Sequence, residues 1–182
     1  MTEVELKAHI TDPEKIATAL CSLPDARFVR ETIKRDVYWH LQKSPVRIRI
    51  REEDGLITLT YKRKEIQGNI EVNDEQEFTV SNRAALEILL TDIGFTVALS
   101  KEKKTEIYTI SADGESPITA EISLVGSLGW FLELEIILDE TNPNESIISR
   151  SQDALYRLLA ACGVDESAIE PRYYSELLHE NP

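Results

Sequence analysis

The sequence predicts an α+β fold in which a mainly antiparallel sheet curls into a closed or nearly closed barrel with a polar lumen and helices packed outside. Three observations carry that prediction. Charged and apolar residues alternate along Thr2–Ile10, with Glu3, Glu5 and Lys7 in one row and Val4, Leu6 and Ala8 in the other. The same alternation returns in at least five later segments, and in several of them one sign of charge fills the row. Successive strand side chains point to opposite faces, so each segment has one apolar and one charged face. Finally, three amphipathic helix patterns need an apolar surface, and the strands' apolar rows are the surface available. The charged rows then face the lumen.

Each element follows from local signals. Asp12-Pro13-Glu14 reads as a helix start, with an N-cap, a proline in the first turn and an acid near the positive end of the dipole. Ile16, Ala19, Leu20 and Leu23 continue at helical spacing, and Pro24 marks the stop. Phe28–Leu41 reads as a strand. In Val46–Arg51, Arg47, Arg49 and Arg51 share one face, while Val46, Ile48 and Ile50 share the other. Asp54-Gly55 turns the chain into Leu56–Lys62, whose polar row is Thr58, Thr60, Lys62 and then Lys64. Residues 71–80 form the next strand, with Glu75 and Glu77 in register.

Ser81-Asn82 caps a second helix with a Leu86, Leu89, Leu90 and Ile93 stripe, closed by Gly94. Strands resume over Lys101–Ile110, Ile118–Leu124 and Trp130–Leu138. Their polar rows hold Lys101 and Lys103, then Glu121, then Glu133 and Glu135. Asn142-Pro143-Asn144 opens a third helix that ends at Gly163, and a short tail over residues 170–178 completes the chain.

The 182 residues are expected to form one domain, 1–182, with 42% hydrophobic residues in the ordinary globular range. No stretch reaches the roughly 18 apolar residues needed to cross a bilayer, and there is no secretory signal, so the expected location is cytoplasmic and off the membrane. A net charge of −13 argues against a nucleic-acid surface. Cys21 and Cys162 fall on apolar helix positions and are expected in the core; His9, His40 and His179 lack ligand spacing for zinc.

Many ionised groups in one lumen must be paired with each other or with ions. An internally salt-bridged or water-filled face would satisfy them. So would a divalent metal on the carboxylates and a polyphosphate on the Arg and Lys rows, since Mg²⁺ and Mn²⁺ prefer oxygen donors and arginine forks match phosphate oxygens.

The ordered motifs resemble the CYTH superfamily, the triphosphate tunnel metalloenzymes. Glu3-Val4-Glu5-Leu6-Lys7 is similar to the family's E-x-E-x-K opening. Arg47-Ile48-Arg49 and Thr58–Lys62 resemble its R-x-R and lysine-bearing strands. Glu75-x-Glu77 and Glu133-Leu134-Glu135 resemble its later acid pairs, and Ser127–Phe131 its approach to the last pair. Arg35-Asp36-Val37-Tyr38 and the tail Glu170–Leu178 lean toward the class IV adenylyl cyclase (CyaB-like) branch.

The resemblance implies an eight-stranded antiparallel barrel, often a homodimer, acting on ATP or another triphosphate with Mg²⁺ or Mn²⁺. It places Glu3, Glu5, Glu133, Glu135 and Glu121 with metal and catalysis. Lys7, Arg47, Arg49, Lys62, Lys103 and Arg172 would bind the triphosphate, supported by Arg51, Lys64, Lys101, Glu75, Glu77 and Tyr38. The implied reaction is cyclisation of ATP to cyclic AMP and pyrophosphate; the alternatives are an inorganic or thiamine triphosphatase and a non-catalytic nucleotide or polyphosphate binder.

Three departures bear on catalysis. Ser123 stands where the family often has an acid (E-x-D), Thr105 where it commonly has arginine (K-x-R), with Lys101 or Lys104 as compensating cations, and Asn73 where an arginine often precedes the Glu75 pair.

Overall fold

The computed structural model describes residues 2–44, 46–67, 70–111, 116–140 and 143–180. The side chains of residues 62–67, 71, 73–75, 175, 179 and 180 are not among those described, so the expected roles of Lys62, Lys64 and Glu75, and the departure at Asn73, lie outside the described residues.

The chain runs β1 (Thr2–Ile10), α1 (Pro13–Cys21), β2 (Ala26–Leu41), β3 (Arg47–Glu53), β4 (Leu56–Gln67), β5 (Ile70–Thr79), α2 (Arg83–Asp92), β6 (Phe95–Ile110), β7 (Ile118–Val125) and β8 (Gly129–Leu138). It continues through α3 (Glu145–Ala161) and α4 (Tyr174–Glu180), with short 3-10 turns at Gly126–Leu128 and Glu166–Ala168. All strand pairs are antiparallel, in the order β1-β5-β4-β3-β2-β6-β7-β8. Pairing of β1 with both β5 and β8 closes the barrel. Closure removes the unpaired edges that an open sheet would present.

Local chemistry explains the joints. Asp54 (φ 50°) and Gly55 (φ 78°) both take left-handed backbone, as the tight β3–β4 hairpin turn requires. The carboxylate of Asp12 accepts from Lys15 N at 3.0 Å, and the amide oxygens of Asn82 and Asn144 accept from Ala85 N and Ile147 N, each at 3.0 Å. These bonds satisfy backbone donors that the first helical turn leaves open.

The apolar core lies outside the barrel, between sheet and helices. Leu6, Ala120, Ile122, Leu132 and Leu134 pack against Ile16 and Leu20 of α1 and Leu155, Leu158 and Leu159 of α3. A second cluster joins Trp39, Ile48, Ile50, Leu59 and Phe95 to Leu90 of α2. The apolar rows thus face the helices, as expected.

Several boundaries differ from expectation. β6 begins at Phe95 instead of Lys101, because its ladder with β2 continues to the pair Leu41–Phe95. The tail is structured: Ile169 bridges to Ala8, Glu170 N donates to Lys7 O at 2.8 Å, and Leu177 packs with Val125, Phe131 and Tyr174. Cys162 is buried as expected, but Cys21 is exposed, a correction. Ile16 and Leu20 set the buried stripe of α1, and the residue after Leu20 is turned about 100° away from it. Among the described residues no helix is long and apolar enough to cross a membrane.

Leu134 is fully buried between barrel and helices. Leu134→Ala should therefore cost about 2–5 kcal/mol of unfolding free energy in a urea titration. A loss below about 1 kcal/mol would mean that the helices do not seal this face.

Candidate functional site

Described residues of seven strands, β1 to β4 and β6 to β8, line a cavity of about 600 Å³. β1 contributes Glu3, Glu5 and Lys7; β8 adds Glu133 and Glu135; β7 adds Glu121. Opposite them stand Arg47, Arg49 and Arg51 of β3, with Tyr38, Thr60, Lys101 and Lys103 from β2, β4 and β6. Register makes the convergence possible: Glu5 faces Glu135 and Lys7 faces Glu133 across β1 and β8, while Glu121 faces Glu133 across β7 and β8. Ser44, Tyr61 and Tyr173, together with exposed Arg47, line the cavity too, and Arg47 lies over the Tyr173 ring at 4.6 Å. The cavity mouth is at this end.

The deeper charges neutralise one another. Arg51 grips Asp36 with two bonds of 2.7 and 2.9 Å, and Lys101 Nζ lies 3.7 Å from the same carboxylate. Burial alone would raise the pKa of Asp36, but Arg51 overrides it and holds the carboxyl far below the usual range. Lys103 Nζ lies 2.9 Å from Glu121 and 2.5 Å from Glu133, and Lys34 contacts the other oxygen of Glu121. Burial opposes the Lys103 charge, yet the two flanking carboxylates raise its pKa above the usual lysine range. Burial likewise works against the ionised form of Glu133, but Lys103 pulls its pKa down to about 2.

The expected residues separate into groups. Glu3, Glu5, Glu133, Glu135, Glu121, Lys7, Arg47, Arg49, Arg51, Lys101, Lys103 and Tyr38 all line the cavity. Glu77 lies outside the lining, accepting from Thr60 Oγ1 at 2.8 Å, with Arg49 at 3.7 Å. Arg172 also lies outside it: it is half exposed and forked onto Glu170 at 2.8 and 2.6 Å. Its carbonyl instead accepts from Lys7 Nζ at 2.5 Å. The adjacent Tyr174 ring enters the barrel between Lys101 at 3.8 Å and Lys7 at 4.5 Å.

Lys34, Asp36 and Tyr174 were not singled out as site residues from sequence. Their signal was weak, because the inward row of β2 (Thr32, Lys34, Asp36, Tyr38) mixes a hydroxyl, both charges and a ring. Two departures prove to be partners. Thr105 and Ser123 face each other across β6 and β7, are fully buried, and hydrogen-bond at 3.0 Å. Losing an arginine and an acid at opposed positions is neutral in charge. Lys104 does not compensate, since it is exposed and pairs with Glu31 at 2.5 Å.

Among the described residues no three His, Cys, Asp or Glu side chains converge on a ready-made metal cage. Mg²⁺ is commonly held by one or two carboxylates together with substrate phosphates. Glu3, Glu5 and Glu135 place carboxylate oxygens of that kind on the cavity wall, and so do Glu121 and Glu133, which Lys103 bonds.

Lys101, 4% exposed, has its pKa pushed down to about 7 by burial, against the pull of Asp36. The unfolded chain then holds a proton that the folded chain lacks between pH 7 and about 10.4, so this group makes stability rise across that window. Urea unfolding of wild type and Lys101→Met should diverge above pH 7, wild type gaining up to about 1.4 kcal/mol per pH unit on the variant. Parallel pH profiles would show Lys101 to be charged throughout.

Comparison with known proteins agrees with this geometry. A Methanocaldococcus jannaschii protein provisionally named an adenylate cyclase is 27% identical over 97% of this chain and 98% of its own length. A solved Pyrococcus horikoshii protein is 27% identical, covers 99% of both chains and has a TM-score of 0.81. A Hippeastrum protein, described as a provisional adenylyl cyclase with dominant triphosphatase activity, covers 99% of this chain and 95% of its own. At 12% identity and a TM-score of 0.67, it shows a shared fold. The CYTH domain model matches residues 1–174, nearly the whole chain, and the protein belongs to the CYTH domain family.

Proposed function

We propose that this protein is an adenylyl cyclase that converts ATP to cyclic AMP and pyrophosphate. The observation that carries the proposal is the cavity itself, where a three-arginine row faces a wall of carboxylates in a lumen open at a tyrosine-lined mouth. The full-length likeness to the Methanocaldococcus jannaschii protein supports it.

In this reading the ribose 3′-hydroxyl of ATP gives up its proton to water, its oxygen bonds to the α-phosphorus, and the bond to pyrophosphate breaks. Arg47, Arg49 and Lys103 grip the triphosphate and take up charge on the leaving pyrophosphate. Arg49 is oriented for this by a 3.0 Å bond to Thr60 Oγ1, which is in turn fixed on Glu77. Deep pairing of Lys34, Glu121 and Lys103 blocks the far part of the lumen, so the phosphates enter first and the nucleoside stays toward Tyr61 and Tyr173. Glu3, Glu5 and Glu135 would hold a Mg²⁺ or Mn²⁺ ion, which would supply Lewis-acid charge neutralisation at the phosphates.

The triphosphatase reading uses the same grip and needs only a water beside the terminal phosphorus. A cyclase must also hold the 3′-oxygen roughly 3–3.5 Å from the α-phosphorus. Incubation of the purified chain with ATP and Mn²⁺, followed by chromatography, should give cyclic AMP and pyrophosphate. ADP with phosphate would move the assignment to a triphosphatase; binding without turnover would make the protein a triphosphate binder.

Glu5→Gln should keep the fold and lower Mn²⁺-dependent turnover by more than the roughly 10–100-fold that loss of an outer-shell metal partner costs. Activity of the wild type undiminished in excess chelator would remove the metal from the reaction.

A further inference from the structure

Four side chains of alternating charge cross the floor of the cavity: Lys34, Glu121, Lys103 and Glu133. The last three line the cavity, whereas Lys34 stands behind Glu121 with its side chain 6% exposed. On β2, Lys34 pairs in register with Lys103 of β6, so two ammonium groups stand on neighbouring strands in a buried space. Like charges placed opposite each other repel. Glu121 makes the arrangement tolerable by giving Oε1 to Lys34 and Oε2 to Lys103. Asp36 cannot substitute for it, because Arg51 holds both of its oxygens. The adjacent pair Thr105 and Ser123 brings no charge.

We propose that Lys34 is a positioning residue that acts through Glu121 to keep the Lys103 ammonium available to the ligand's phosphates. The proposal rests on the triphosphate reading above. The four charges sum to zero when all are present. Without Lys34 the sum is −1, both carboxylates draw on one ammonium, and an incoming polyanion meets the surplus at short range in a poorly screened space. With Lys34 in place, half of Glu121 is already satisfied. Lys103 then keeps donor capacity for a phosphate oxygen, since an ammonium has three protons to give.

Calorimetric titration of the full chain with inorganic triphosphate, without metal, tests this in a charge cycle. Lys34→Met should weaken binding roughly tenfold or more. Lys34→Arg should restore most of the affinity, and Lys34→Met/Glu121→Gln should return it to near the wild-type value, because the floor is neutral again. Glu121→Gln alone, with a surplus positive charge, should bind more tightly than the double variant. A purely structural Lys34 would not give rescue by a second substitution, and thermal unfolding of each variant separates folding from binding. Should Lys34→Met fail to fold, the comparison of Glu121→Gln with the double variant carries the test. Equal affinity of wild type and a folded Lys34→Met, or of Glu121→Gln and the double variant, would overturn the proposal while leaving the triphosphate reading intact. A wild type that binds no triphosphate, with or without Mg²⁺, would overturn both.

Discussion

A barrel that turns its apolar rows outward has to settle its charges inside, and most of this structure follows from that constraint. The helices α1, α2 and α3 supply the apolar partners for the outer rows. With the outer face committed, every alternate residue points into the lumen whatever its charge. Register is therefore tightly specified, because a slip by one residue would send Arg47, Arg49 and Arg51 under α2 and Ile48 and Ile50 into the polar lumen.

The solution is unequal along the barrel axis. Near the mouth, Arg47 is exposed; deeper in, the cations are matched to acids at hydrogen-bond distance. Burying ions is tolerable only with such pairing, since each desolvated charge costs several kcal/mol even after relaxation. Internal pairing therefore holds the deep set in place. Local pairing, not the overall balance of −13, sets the field inside the lumen.

Sequence made legible whatever repeats with a period of two and a single sign. The Arg47, Arg49 and Arg51 row, the Glu3 and Glu5 pair and the Glu133 and Glu135 pair could be read without coordinates, and all line the cavity. Lys34 escaped because its row has no single sign and lies in a strand with outward-facing Arg35 as distraction, and Asp36 was legible only within the Arg35–Tyr38 resemblance, with no role attached. Arg172 misled for a different reason. A tail has no period to fix its direction, and Glu170, two residues before it, captures the guanidinium outside the cavity while its carbonyl serves Lys7. The exposed Cys21 shows the same limit at helix scale, where one position off the stripe reverses burial.

Register changes the meaning of the departures at Thr105 and Ser123. Taken singly, each removes a charged group from the lumen and each suggests damage. Paired across β6 and β7, they remove one charge of each sign and replace it with a hydroxyl–hydroxyl bond of 3.0 Å. Ser123 Oγ also donates to Glu133 at 3.2 Å, so the exchange keeps a donor on the carboxylate that Lys103 holds. Both side chains are short and fully buried, and two small hydroxyls avoid the desolvation cost that a buried ion pair would carry. Glu121 is left to balance Lys34 and Lys103 without help from position 105 or 123, which makes it the hinge of the lumen's electrostatics.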